Sequence, residues 1–425
     1  MFKFFKLSSI SKLISFLRKN LRSSNKGLID RIYFIFRAFF AKKFGLYPFP
    51  ISNELGAVKS VLISGNWNTT YSLNTKVTET EESFAKFLDV KNCILVPSGG
   101  VGIEILMRIL KSTNNATCHH IRHVCPASPL SILRGGVAPL PTNPTNNPFN
   151  LPHKVYTSSL TDKLVMATHF WGYPEDIRTH PKEHLIEDCC LSFDSYFPDG
   201  RHVGTIGKAG VFSFGCLKPI QAGEGGLICT NDNSLAKEIK IMQNYANEIK
   251  ITGSKDIQNF GLNGRISCLT SAIIYEQLKN YKKYVANIRT GVFKVLMAIE
   301  KRKLPVKIFI PEEQNIDNLG FSSILLEVNQ EIYYPFLKEL QKNGIETIPP
   351  FFEDLFSLTY FKKNIIDDLN NFQQKIYLSH YKKSIKENYI YPTKYISISR
   401  RWISSVFMRS FFINALTKSL DAIYK

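Results

Sequence analysis

Between residues 93 and 230 the chain repeats one pattern: a short apolar run, a stretch with helical spacing, then another short apolar run. CILVP (93–97) has the character of a buried strand and GIEILMRILK (102–111) that of a helix. HVCP (123–126) is read as the next strand, with a helix near 129–134. KLVMATHF (163–170), HLIED (184–188), GVFSF (210–214) and GGLICT (225–230) are read as further strands. Strands separated by helices cannot be closed by tight hairpins, so the pattern predicts an α/β fold with a mostly parallel sheet. From about residue 266 a long helical pattern, AIIYEQLKNYKKYVANIRTGVFKVL, leads away from the sheet. FSSILLEV, EIYYPFLKELQKNG and GIETI then predict a smaller α+β C-terminal domain. The expected division is a basic helical extension (1–45), a large domain (46–290) and a small domain (291–425).

Charge is distributed unevenly. The formal net charge is +19, and residues 1–45 hold eleven basic side chains against one acid, Asp30. That segment therefore supplies more than half of the excess. In SISKLISFLRKNLR, Ile10, Leu13, Ile14, Leu17 and Leu21 share one helical face. Three roles fit: an amphipathic helix on an anionic membrane surface, a helix packed on the main body or a second subunit, or a transit peptide. Neither apolar-basic run is long enough to span a bilayer, and GLYPFP (45–50) reads as a linker. The body is only mildly basic and shows no nucleic-acid-binding signature, so no nucleic acid partner is expected. Eight cysteines without a C-x-x-C pair point to a reduced, cytoplasmic protein. CHHIRH (118–123) holds four potential ligands, but strand alternation would split them between faces. A polar strand edge or loop is expected there, and no metal.

Three stretches carry chemistry. HLIEDCC ends an apolar strand on Glu187-Asp188, and functional groups of a parallel sheet collect at the carboxyl ends of its strands. In VPSGGVGIEIL a strand runs through Ser98-Gly99-Gly100 into a helix, whose first N–H groups can meet a phosphate. In FSFGCLKPIQAGEGG, Lys218 lies five residues after Ser213, in surroundings otherwise uncharged from Phe212 to Ala222. A lysine amine becomes nucleophilic when its surroundings favour the neutral form. A phosphate cradle, a strand-end acid and such a lysine together suit pyridoxal phosphate (PLP), whose aldehyde bonds to a lysine and whose ring nitrogen pairs with an acid.

These stretches resemble the DegT-type nucleotide-sugar aminotransferases, which are fold-type I PLP enzymes. THFWGYPEDI (168–177) is similar to the family's His-x-x-Gly-x-Pro-x-Asp segment, and LIEDCC to its Glu-Asp-Ala-Ala segment. GKAGVFSFGCLKPIQAGEGGLICTND resembles the family's lysine block, and FGLNGRIS (260–267) its Gly-x-Asn-x-Arg segment. The resemblance implies catalytic roles for Lys218 and Asp188. It implies cofactor contacts from Gly99, Gly100, Asp188, Ser213 and Lys218, and from Asn263 across the interface of a homodimer. The implied reaction is amino transfer, with glutamate the usual donor, to a nucleotide-linked keto-sugar in surface-polysaccharide or amino-sugar biosynthesis.

Three positions depart from the family pattern. Gly100 replaces a hydroxyl-bearing residue, Leu130 a stacking aromatic, and Leu191 a hydrogen-bonding Gln or His. Two other readings therefore stand beside transamination: a degenerate PLP fold with a scaffolding role at a membrane, and a PLP-dependent dehydratase. Family dehydratases carry His at the lysine position, and Lys218 speaks against that branch.

Overall fold

A computed structural model describes residues 53–67, 75–145, 147–157, 163–215, 217–245, 260–311, 314–348, 352–387 and 395–424. The basic segment 1–45, the linker after it and Cys216 lie outside these residues.

Seven strands form the main sheet: β1 (Asn92–Val96), β2 (Thr117–Ile121), β3 (Ala138–Thr142), β4 (Lys163–Thr168), β5 (Leu185–Asp188), β6 (Ala209–Ser213) and β7 (Gly226–Thr230). Their spatial order is β1-β7-β6-β5-β4-β2-β3. β7 runs antiparallel to both of its neighbours, and the remaining pairings are parallel. Among the described residues of this part the helices are α1 (Glu54–Ser64), α2 (Lys76–Leu88), α3 (Gly99–Leu110), α4 (Ala127–Arg134), α5 (His153–Thr157), α6 (Asn233–Met242) and α7 (Cys268–Lys301). The 34-residue α7 runs through the 290/291 boundary drawn from the sequence.

Both faces of the sheet are covered, which is why its strands are apolar throughout rather than alternating. Along β1, Ile94 and Val96 join one core with Ile103, Leu106, Met107 and Ile239 from α3 and α6. Cys93 and Leu95 point the other way and join Phe84 of α2 and Ala272, Leu278 and Tyr281 of α7. The period of two thus sends successive residues into different cores. Helix starts are fixed by side-chain caps, with Thr75 before α2, Ser98 before α3, Asp232 before α6 and Ser267 before α7.

Two expectations are corrected. HVCP is not a strand; the strand lies earlier, at Thr117–Ile121, between β3 and β4. The first four residues of CHHIRH are therefore sheet interior rather than a polar edge or loop, and only Arg122 and His123 lie in the turn that follows. The histidines are tolerated there because burial favours their neutral form, with His120 brought down to about 4. One ring nitrogen of each also finds a partner: His119 Nδ1 meets Thr142 Oγ1 at 2.9 Å and His120 Nδ1 meets Ile121 O at 3.0 Å. β3 was not anticipated because it contains Pro139 and Pro141. It sits at the sheet edge, where a strand can do without some of its N–H donors.

The smaller sheet has the order β10-β11-β9-β8, from β8 (Val306–Ile308), β9 (Ser323–Val328), β10 (Thr347–Ile348) and β11 (Tyr395–Ser399), all antiparallel. Helices α8 (Tyr333–Lys342), α9 (Thr359–Lys362), α10 (Asn371–Lys386) and α11 (Val406–Tyr424) complete this half. Among the described residues no helix is long and apolar enough to cross a membrane.

Candidate active site

The carboxyl ends of β4, β5 and β6 point toward the amino end of α3, and the residues singled out from the sequence gather there. Asp188 is the last residue of β5 and only 3% exposed. Its Oδ1 accepts the Cys190 N–H at 3.1 Å, and its Oδ2 accepts the Ser128 hydroxyl at 2.7 Å. Two donors on two oxygens fix the plane of the carboxylate before any ligand arrives. Glu187, one residue earlier, faces the other way. It receives the N–H groups of Gly204 (2.7 Å), Ile206 (2.8 Å) and Gly207 (2.7 Å) and lies 3.0 Å from His169 Nε2. The second nitrogen of His169 accepts the Glu175 N–H at 3.0 Å. His169, Glu187 and Cys189 stand close enough to share an ion, but both histidine nitrogens and both glutamate oxygens already have protein partners. They act as a buried brace behind Asp188.

Ser213 ends β6 and faces the first turn of α3. Ser98 caps that helix, its hydroxyl accepting the Val101 N–H at 3.2 Å and its carbonyl the Gly102 N–H at 3.1 Å. The N–H groups of Gly99 and Gly100 have no acceptor within the helix. A Cβ at position 99 would lie 2.7 Å from Cys190 Sγ and 3.1 Å from Ser213 Cβ. Glycine is what lets this helix end approach the two strand ends. A Cβ at position 100 would lie 3.0 Å from Ser131 Oγ, on α4. The position where the family carries a hydroxyl thus has the hydroxyl of Ser131 beside it.

Lys218 is half-buried and lies on the 214–225 loop between β6 and β7. The loop is closed by Phe214, whose N–H donates to Gly225 O (2.8 Å) and whose carbonyl accepts the Ala222 N–H (2.9 Å). Gln277 of α7 holds it again: its Oε1 accepts the Gln221 N–H and its Nε2 donates to Gln221 O, both at 2.8 Å. Arg400, just past β11, donates to Lys218 O at 2.9 Å and to Pro219 O at 3.0 Å. Cys190 feels both Asp188 and Lys218. Burial pushes its thiol well up, Asp188 adds to that effect, and Lys218 opposes it.

Asp188, Ser213, Lys218, Gly99 and Gly100 therefore come together. Asn263 does not join them: it is exposed and forms a β-bridge with Asn244. Leu130 is 37% exposed, and Leu191 packs half-buried against the larger core. The carbonyl of Leu191 accepts the Ser322 hydroxyl at 2.5 Å, so the residues leading into β9 pass across the ends of β4 and β5. Gly172 has φ +99°, and a Cβ there would sit 2.4 Å from the Phe321 N. The glycine of the His-x-x-Gly segment is thus required by this crossing strap.

Ser128, Gln277 and Arg400 were missed from sequence. Gln277 did carry a signal, since it sits on the apolar face of α7 with Ile274, Leu278 and Tyr281. Ser128 and Arg400 carried none that spacing could reveal.

The profile of the DegT/DnrJ/EryC1/StrS aminotransferase family matches residues 51–376. A dTDP-3-amino-3,6-dideoxy-alpha-D-galactopyranose transaminase of Aneurinibacillus thermoaerophilus is 30% identical over 229 residues, 51% of this chain. The aligned part is 60% of that relative's length. The aminotransferase of Psychrobacter cryohalolentis superposes with a TM-score of 0.75 at 18% identity, covering 90% of this chain and all of that one. Helicobacter pylori PseC, an aminotransferase of pseudoaminic acid biosynthesis, superposes with a TM-score of 0.69 at 17% identity, covering 87% of this chain and 96% of that one. The fold is that of the fold-type I aminotransferases.

Proposed function

The chain belongs to the DegT/DnrJ/EryC1/StrS aminotransferase family, and on that premise we propose that it moves an amino group from glutamate to a nucleotide-linked keto-sugar with PLP as cofactor. The supporting observation is the convergence of Asp188, Ser213 and Lys218 on the glycine-opened first turn of α3. The arrangement fits the cofactor on three counts: a buried, pre-oriented carboxylate for the ring nitrogen, free helix N–H groups with Ser213 for the phosphate, and a lysine on a doubly anchored loop. PLP, when bound, acts as the electron sink and carries the amino group between the two half-reactions.

The chain's own residues do the rest. Asp188, held by Ser128 and the Cys190 N–H, would keep a proton on the cofactor's ring nitrogen. Gly99, Gly100 and Ser213 would hold the phosphate through short N–H and O–H donors at the helix end. The Lys218 Nζ would hold the cofactor's aldehyde carbon until the donor's amine displaces it there, and the freed amine would then take the proton from the donor's α-carbon and pass it to that aldehyde carbon. Asn263 belongs to the neighbouring site of a homodimer, which its exposed position favours. The domain division at 45/46 and 290/291, a cytoplasmic setting, a role in surface-polysaccharide or amino-sugar biosynthesis and a membrane contact through residues 1–45 are parts of the same proposal.

The decisive experiment is borohydride trapping with peptide mapping, followed by turnover with glutamate. The expected result is a PLP adduct at Lys218 and release of 2-oxoglutarate. Turnover by a Lys218→Ala variant would overturn the assignment, and absence of 2-oxoglutarate would favour a dehydratase or a scaffold. Mixing Lys218→Ala and Asn263→Ala subunits, each inactive alone, tests the dimer: hybrid dimers regain activity through one intact site if Asn263 acts across the interface, and hybrid dimers that stay inactive overturn that assignment.

A further inference from the structure

Arg400 is one of the largest side chains in the protein to be almost wholly enclosed, at 2% exposed. A guanidinium in that position loses its hydration and needs fixed acceptors in return. The sequence supplies it immediately after the last strand of the small sheet, where the chain enters a single 3₁₀ turn, Arg400–Trp402. Neighbouring Arg401 instead turns outward to Glu346. The inward turn of Arg400 is thus specific to that position.

Its acceptors lie on the other half of the molecule. One nitrogen, Nη2, donates to the carbonyl oxygens of Lys218 and Pro219 at 2.9 and 3.0 Å. The guanidinium carbon lies over the Tyr284 ring of α7, 5.2 Å from its centroid. The guanidinium is thus held between an aromatic ring and two consecutive peptide carbonyls that share one of its nitrogens. The loop end nearest β7 is held independently, by Gln277 on Gln221. Arg400 is therefore the anchor at the lysine itself.

We propose that Arg400 is a positioning residue for Lys218, fixing the lysine's peptide so that Nζ meets the cofactor and the substrate carbon in register, and making that register depend on the seating of the small sheet. The proposal rests on the reading of Lys218 as the cofactor lysine. Arg400 contacts neither substrate nor cofactor; it acts through the backbone that carries the lysine. A misplacement of about 1 Å at a reacting group costs on the order of 100-fold in rate, and the free carbonyls of residues 218 and 219 would allow a shift of that size.

The test uses the full-length protein in its PLP-bound and PLP-free forms, with Arg400→Gln and Arg400→Lys variants. Wild-type protein must first give a borohydride-trapped adduct at Lys218; if it does not, the lysine assignment fails and this inference goes with it. Given that adduct, Arg400→Gln is expected to lower kcat roughly 10- to 100-fold with glutamate KM changed less than about threefold. In the PLP-free form, acylation of Lys218 by an N-hydroxysuccinimide ester, read by peptide mass, is expected to differ from wild type by about threefold or more per folded molecule, with other lysines unchanged. Arg400→Lys, which keeps the charge and part of the bonding, is expected to fall between the two and serves as the deciding variant if the glutamine form does not fold. Activity lost only in proportion to the folded fraction, with Lys218 acylation per folded molecule as in wild type, would show that Arg400 merely stabilises the structure.

Discussion

The close approach of α3 to the ends of β5 and β6 gives a sharp test at Gly99. An added methyl would sit 2.7 Å from Cys190 Sγ, 3.1 Å from Ser213 Cβ and 3.4 Å from Phe212 O. Carbon contacts are comfortable at about 3.5–4.0 Å. The sulfur is the end of a short side chain and has some freedom to turn away. The Ser213 Cβ is attached to a strand flanked by two others, so the helix end must yield there by several tenths of an ångström. Overpacking of this kind costs about 1–3 kcal/mol. The displaced atoms are the N–H donors proposed for the phosphate, so the same cost falls on cofactor binding. At about 1.4 kcal/mol per factor of ten, PLP affinity should weaken by roughly 5- to 150-fold. Equilibrium dialysis or fluorescence titration of the PLP-free protein measures this directly. Removing the thiol as well, in Gly99→Ala/Cys190→Ala, should recover the part due to sulfur and leave the part due to Ser213, a coupling that a double-mutant cycle isolates. Unaltered PLP affinity in Gly99→Ala would refute the reading of this helix end as the phosphate cradle.

Three other outcomes are expected. Gly226→Ala should not accumulate as folded protein, since its Cβ would lie 2.5 Å from the Ser98 carbonyl carbon and 2.6 Å from the Gly99 nitrogen; a soluble variant with a normal melting transition would contradict this. Gln277→Leu strands a buried N–H and carbonyl of Gln221, and at about 1–3 kcal/mol for each the urea midpoint should fall sharply, whereas a midpoint within error of wild type would show that the loop does not rely on it. Burial pushes the Glu175 carboxyl up to about 7 from an ordinary 4.5, although the Tyr156 hydroxyl at 2.5 Å pulls the other way. The folded state then holds a proton that the unfolded chain releases, so this contribution to stability is complete below pH 4.5 and lost as pH rises to 7, about 3 kcal/mol at most. Glu175→Gln should therefore flatten the decline in stability between pH 5 and 8, and parallel pH profiles for the two proteins would refute the assignment.

Much of the site was legible because its chemistry is local to single strand-and-turn segments. Ser213, Lys218 and the glycines after it occupy one stretch, and Asp188 ends a strand whose apolar run gives its position. What was illegible depends on distant chain. Ser128 reaches Asp188 from 60 residues away, and Arg400 reaches the lysine loop across 182. Neither separation leaves a periodic trace. The fold was misread where side-chain chemistry disguised backbone geometry. β2 carries two histidines that become acceptable in a sheet interior only through burial and ring hydrogen bonds, and β3 carries prolines that only an edge position tolerates. The departure at Gly100 also changed meaning in three dimensions, because Ser131 stands beside the missing side chain.

The reversal of β7 has a consequence for how such a site can be altered. Five other links between main-sheet strands travel around the layer and return, whereas the segment from Phe214 to Gly225 leaves and re-enters between two adjacent strands. Both of its ends are tied to each other through Phe214, so its length is not coupled to the spacing of the layers. The lysine thus rides on a self-closed module. Such a module can be exchanged whole, lengthened or shortened without re-registering the sheet, provided that residues 218, 219 and 221 still meet Arg400 and Gln277. Those two side chains, more than the sheet, set the terms on which a replacement would be accepted.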